Sequence, residues 1–204
     1  MSRRQLEIQL DKTASFDNPD WHAEQYSTPP SIAANLLWHL HLGDELQGKT
    51  VLDLGAGTGR LGLGAVLLGA EHAHLVDIDG AALSTAQANA RALGITDDEY
   101  TVTMNSAEHY DAPPGLDLAV MNPPFGTQDK GADTAFLEKA AATTDLVLSM
   151  HKAATQQFVM EWIVEHGHVL LDQHRISFPL KNTMHHHDRD VEHVDVTAVL
   201  FKTT

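Results

Sequence analysis

The stretch "VLDLGAGTGRLG", residues 51–62, decides how this chain folds. A short buried-strand pattern runs into Gly55, Gly57 and Gly59, and "RLGLGAVLLGA" then reads as a helix, although its own glycines weaken it. A turn this tight needs residues without a Cβ. It also lets a ligand approach the backbone, with free amides at the helix N-terminus. Taken alone, the turn is equally a plain strand-to-helix connection.

Working outward, the pattern alternates. "AHLVDI" reads as a strand, and "GAALSTAQANARALG" as a helix capped by Asp79 and stopped at Gly94. "YTVTM" and "LDLAVM" are strands, "DTAFLEKAAATT" a helix, "LVLSM" a strand and "TQQFVMEWIVEHG" a helix. "HVLLDQHRISFPL" and "HVDVTAVLFK" are strands with only a polar loop between them, so they should form a hairpin. The expectation is an α/β, Rossmann-like fold: a mostly parallel seven-stranded sheet, a C-terminal antiparallel hairpin, and helices on both faces. Upstream, residues 1–14 read as a helix with Leu6 and Leu10 on one side. "SFDNPDWHAEQYSTPP" reads as a linker, and "PSIAANLLWHLHLG" as a helix opened by Pro30 and closed at Gly43. One domain is expected over 1–204, with residues 1–43 as an N-terminal elaboration and 44–204 as the core.

The glycine turn is not a phosphate site of the common kinds. A dinucleotide fingerprint wants glycine where the chain has Arg60, and a P-loop ending in Gly-Lys-Ser/Thr is absent. Asp77 ends the next strand, where a carboxylate takes both hydroxyls of a ribose. A glycine turn with a ribose acid and no phosphate features suits an adenosine without phosphate, and S-adenosylmethionine is the common ligand of that kind. Asp53 either faces that ligand's amino group or caps backbone amides of the turn.

In an open parallel sheet the ligand crevice lies at the carboxyl ends of the strands, where strand order reverses. The glycine turn follows the first strand, and "NPPF", residues 122–125, follows the fourth, so the two should meet. The amide oxygen of Asn122 and the carbonyl of Pro123, held at a fixed φ, are acceptors for both protons of an exocyclic NH2. Drawing the nitrogen lone pair out of conjugation makes that amine a usable nucleophile. Phe125 can stack on the flat face of the substrate, and a base stacked in a helix would have to be extruded to reach it.

The bulk properties set limits. Thirteen basic against 28 acidic residues give a net charge of −15, with only seven lysines and no cysteine. Disulfides, thiolate nucleophiles and cysteine-zinc sites are excluded. The acidity argues mildly against nucleic acid as partner, or else marks a surface adapted to concentrated salt, where the Debye length shrinks to about 3 Å. The opening "MSRRQLEIQLDK" has no run of signal-peptide length, and no run reaches a membrane span, so a soluble cytoplasmic protein is expected. "MHHHDRDVEH", with His185, His186, His187 and His193, is read as a solvated loop rather than a metal site, and no metal is expected.

With these residues in place, the chain resembles the class I S-adenosylmethionine-dependent methyltransferases of the N-P-P-[FY] group. These act on amino nitrogens conjugated to a π system. "EQYSTPPSIAANLLW", "MNPPFGTQDKGADTAFLEKA" and "SMHKAAT" resemble the methyltransferase-like protein 5 family, which modifies adenine N6 in small-subunit ribosomal RNA. The likeness covers residues 24–201, and an acidic, cysteine-free chain suits the archaeal, halophilic branch. The resemblance implies that Gln25 and Thr28 fold over the cofactor. It also implies that Gly55, Thr58, Arg60 and Leu61 lie along the cofactor, that Asp77 holds the ribose, and that Asn122, Pro123, Pro124 and Phe125 are catalytic. Where the family has an acidic residue near the adenine, this chain offers Asn105 or Ser106. Where the family has a basic run after a histidine, this chain keeps His187 and Arg189 between aspartates, as an RNA contact. A small zinc-binding activator subunit is implied at the edge strand Tyr100–Met104. The rival expectations are glutamine-amide methylation of a release factor, guanine-N2 methylation of RNA, and a cofactor-binding interaction subunit without turnover.

Overall fold

The computed structural model describes residues 1–17, 27–124, 132–181 and 191–204. Among these, the strands are β1 (Thr50–Leu54), β2 (His72–Asp77), β3 (Tyr100–Met104), β4 (Leu116–Met121), β5 (Thr144–Lys152), β6 (Val169–Lys181) and β7 (Val191–Lys202). They form one seven-stranded sheet in the order β3-β2-β1-β4-β5-β7-β6. The neighbours from β3 to β5 are parallel, and β7 runs antiparallel to both β5 and β6. That is the sheet the alternation implies, with the helix-free final connection supplying the antiparallel strand.

One face carries α1 (Arg3–Leu10), α2 (Pro30–Leu42), α3 (Arg60–Leu67) and α4 (Gly80–Leu93). The other carries α5 (Ala132–Thr143) and α6 (Gln156–Glu165), packed through Leu137, Ala140, Val159 and Trp162. Alternation along each strand feeds both cores: Leu52 and Leu54 face the α5 side, while Val51 faces α2. No described helix is long and apolar enough to cross a membrane.

Local chemistry sets the helix ends. Ser2 and Gln5 form a reciprocal capping box that starts α1 at Arg3, and Leu6 and Leu10 are fully buried. Asp79 accepts the Ala81 and Ala82 amides at the start of α4, and Gly94 closes that helix in the left-handed conformation. α3 begins differently. Its N-cap is Gly59, at φ 79°, and no side chain of the cap bonds to the helix. Asp53 reaches across from β1 instead: its Oδ2 accepts the Gly62 amide at 2.7 Å. Of the two readings of Asp53, the structure contains the backbone-capping one, and the residue also lines the cavity at the turn.

The N-terminal segment is fastened to α3 and α4 by buried polar groups. The Arg60 guanidinium donates to Thr13 Oγ1 at 2.9 Å, to the Thr13 carbonyl at 3.3 Å and to the Thr28 carbonyl at 2.7 Å. Asn89 of α4 accepts the Ala14 amide at 2.7 Å and donates to the carbonyls of Ala14 and Thr58. The described residues 13–16 and 27–28 are thus tied to the glycine turn, and β3 is the end strand of the sheet, with Met104 70% exposed.

Two outcomes follow for the β1–α3 junction. A Cβ built on Gly62 lies 2.5 Å from Leu75 Cδ2 and 3.0 Å from Asp53 Cβ. Gly62→Ala gains roughly 1 kcal/mol of helix propensity but overpacks a site where such strain costs about 1–3 kcal/mol. We expect a melting temperature lowered by roughly 2–6 °C; a rise would mean that propensity wins. Burial lifts the Asp53 carboxyl to about 7; the Gly62 amide opposes the rise and Asp77 adds to it. Between its ordinary 3.8 and about 7, the folded state holds a proton that the unfolded state has released. Stability from this group therefore falls as pH rises through that window, by up to about 4 kcal/mol. Asp53→Asn should gain on the wild type over that range in urea unfolding. His151, pushed down to about 4 by burial, titrates in both proteins and drops out of the difference.

Candidate active site

The carboxyl ends of β1, β2 and β4 meet at the reversal of strand order, and the predicted residues gather there. Phe16, Ser27, Thr28, Asp53, Arg60 and Asn122 surround a narrow cavity of about 40 Å³, floored by Gly55–Thr58 and Leu61. Sites for drug-sized ligands run to roughly 300–1,000 Å³. The shortfall has a visible cause: Phe16 lies against the turn, so a Cβ added at Gly57 would sit 2.7 Å from its ring. Phe136 does the same at Gly55, at 2.9 Å. Glycine keeps this floor open to flat rings from both sides, and the positive φ of Gly57, 52°, adds to the requirement.

Asp77 is joined to the turn. Its Oδ2 accepts the Gly57 amide at 2.7 Å and its Oδ1 the Asp79 amide at 2.9 Å. Burial raises its pKa, the Asp79 and Gly57 amides pull it down, and the Asp79 charge pushes it up again. Each carboxylate oxygen has lone-pair capacity left after one amide, so acceptors remain for a diol. Thr58 is buried; its hydroxyl lies 3.4 Å from Ser27 Oγ and its carbonyl is held by Asn89.

Asn122 follows β4 directly. Its Nδ2 donates to Thr28 Oγ1 at 3.2 Å, and its Oδ1 is buried with no hydrogen-bond partner. With Nδ2 turned to Thr28, the atom left without a partner among the described residues is the acceptor. Buried polar atoms without partners are rare and point to a missing group. Pro123 is buried and Pro124 half-buried beside it. An S-adenosylmethionine molecule fits this set of groups: a glycine floor that a Cβ would obstruct, a carboxylate with spare acceptors, and an unsatisfied amide oxygen.

Some expected residues stand apart. Asn105 and Ser106 follow β3 next to Asp77, where the Asn105 amide donates to the Asp77 carbonyl at 3.0 Å. Their side chains close a local turn: Asn105 donates to the His109 carbonyl, and Ser106 pairs with His109 Nδ1 at 2.8 Å. They do not line the cavity. Gln25, Phe125, His187 and Arg189 lie outside the described residues. Sequence reading missed Phe16, Ser27, Asn89 and Phe136. The one available signal was Phe16, an aromatic in a stretch rich in polar residues.

Comparisons with known proteins bear on the family and the fold. The family model described as Conserved hypothetical protein 95 matches residues 37–171. The rRNA N(6)-adenosine-methyltransferase Mettl5 of Drosophila melanogaster is 34% identical over 170 residues, which cover 80% of this chain and 79% of that one. An uncharacterized protein of Methanocaldococcus jannaschii is 30% identical over 209 residues, covering 99% of this chain and 94% of its own. Among solved structures, a Pyrococcus horikoshii protein provisionally described as an RNA methyltransferase superposes with a TM-score of 0.90 at 33% identity. It covers 100% of this chain and 98% of its own. With the glycine turn, the strand order and Asn122 already in place, the chain belongs to the Conserved hypothetical protein 95 family, as a class I methyltransferase related to methyltransferase-like protein 5.

Proposed function

We propose that this protein methylates the N6 amine of an adenine in small-subunit ribosomal RNA, in the cytoplasm. The observation that carries the reading is the buried Oδ1 of Asn122, without a partner among the described residues, on a side chain that lines the glycine-turn cavity. Relatives named as rRNA N6-adenosine methyltransferases support the substrate class.

When bound, S-adenosylmethionine supplies a methyl group on a sulfonium centre, and the adenine amine is the nucleophile that takes it. This chain's residues then have distinct tasks. Asp77 would accept from the ribose hydroxyls. Gly55 and Gly57 would leave the donor room beside the backbone, in the space that Phe16 borders. Asn122 Oδ1 accepts one amine N–H, which holds the lone pair toward the donor and lowers its delocalisation into the ring. Thr28 keeps that oxygen in place, and Arg60 keeps Thr28 in place through its carbonyl. Alignment of this kind is worth effective molarities of about 10⁵–10⁸ M. Asp53 offers a carboxylate whose ionisation a cationic donor favours. The edge strand β3, with its apolar Met104, supports the reading that a small zinc-binding activator subunit pairs there.

Asn122→Ala should lower kcat by about 10²–10³ while donor binding, read by calorimetry, persists. Thr28→Val keeps shape but removes the acceptor for Asn122 Nδ2, so kcat should fall roughly tenfold with little change in KM for the donor. A drop in donor affinity alone would assign Thr28 to cofactor contact instead. The decisive test is nucleoside mass spectrometry of ribosomal RNA from cells with and without the gene. Loss of one N6-methyladenosine from small-subunit RNA is expected. If that RNA is unchanged, the substrate is a different amine.

A further inference from the structure

The edge strand β6, at the opposite end of the sheet from β3, carries a second constellation. Asp172 and His174 lie on β6, and His39 lies on α2. The Nε2 atoms of His39 and His174 stand 3.0 and 2.9 Å from the same oxygen, Asp172 Oδ2. One donor atom from each residue lies within 4.8 Å of the others, and the two rings meet edge to face with centroids 5.0 Å apart.

An irregularity in β6 creates this convergence. Leu170 pairs with Phe201, whose side chain belongs to the α5–α6 core. The register then shifts, and Asp172 pairs with Leu200, which belongs to the α1–α2 core. Leu171 is the extra residue and is half exposed. In a regular strand, residues 170 and 172 share a face. The bulge turns Asp172, and His174 after it, onto the side where His39 waits. Bulges that re-aim side chains cluster at functional positions. The second Asp172 oxygen is oriented too, accepting the Gln173 amide at 2.7 Å. Ligating carboxylates are commonly steadied by such an outer bond.

We propose that His39, Asp172 and His174 bind a divalent transition-metal ion, with zinc the best match and the fourth position open to water. Two imidazoles and one carboxylate suit zinc, whereas calcium and magnesium take six or more ligands, nearly all oxygen. The ion replaces the shared contacts to Asp172 Oδ2 and joins α2 to the edge strand. The site is exposed at both histidines, so the ion reaches it from solvent. It lies apart from the methyl-transfer cavity, and none of its residues lines that cavity.

The test uses the full chain without a polyhistidine tag, stripped with a chelator and titrated with Co²⁺ and then Zn²⁺. One equivalent of cobalt with a tetrahedral visible absorption band, displaced by zinc, is expected. At a hundredfold excess over Kd, zinc should raise the melting temperature by about 5–10 °C. His174→Gln and Asp172→Asn should each weaken binding by more than about 100-fold while melting like the wild type in chelator. Replacing His185, His186 and His187 together by Gln should leave binding unchanged. Absence of a stoichiometric ion overturns the proposal, as does binding that survives His174→Gln or disappears with the 185–187 replacement. If either β6 variant melts early in chelator, His39→Gln on α2 provides the same test from the other side.

Discussion

The Arg60 guanidinium holds together parts of this molecule that the chain order keeps far apart. It sits at the first position of α3, directly after the glycine turn, and is almost fully buried. Burial pulls its pKa below the ordinary guanidinium value, with nearby Asp11 opposing. A charge taken out of water must be repaid by hydrogen bonds. Here the acceptors are the hydroxyl and carbonyl of Thr13 and the carbonyl of Thr28, near the two ends of the connection between α1 and α2. Thr28 in turn holds Asn122. One side chain therefore links the N-terminal segment, the cavity wall and, through Thr28, Asn122.

Around that anchor the buried acids are arranged in a consistent way. Asp53 and Asp77 each accept backbone amides from the turn or its helix, so the strand ends and the turn are cross-linked by side chain to main chain. Both carboxyls are raised by desolvation, and each feels neighbouring negative charge. Ionising either carboxyl is therefore opposed by burial and by a neighbouring acid, and favoured by the turn amides it accepts.

Much of this was legible in the sequence because the signals are local. α4 is bracketed by Asp79 and Gly94, and both behave as caps. The hairpin of β6 and β7 followed from a missing helix. What could not be read depends on distance. Asn89 looks like any polar residue of a helix until Ala14, 75 residues away, is seen to bond to it. The glycines of α3 read as weakness, yet Gly62 and Gly64 lie where Leu75 and Leu37 leave no room for a Cβ. β5 extends beyond its apolar run because Thr144 and Lys152 still find partners on β4 and β7. Arg60 was expected along the ligand. It does reach the cavity wall, but its nitrogens are spent on the chain itself, which no spacing rule reveals.

The lone acceptor on Asn122 also bears on which rings the site refuses. A buried oxygen without a donor costs the resting fold about 1–3 kcal/mol, and a ligand that brings an N–H recovers it. That is roughly a 5- to 150-fold preference at a single atom. A ring with a carbonyl at the same position brings lone pairs to lone pairs and gains nothing from the pocket. If Asn122 takes the substrate amine as proposed, this unpaired acceptor separates an amino purine from its keto counterpart before any bond is made.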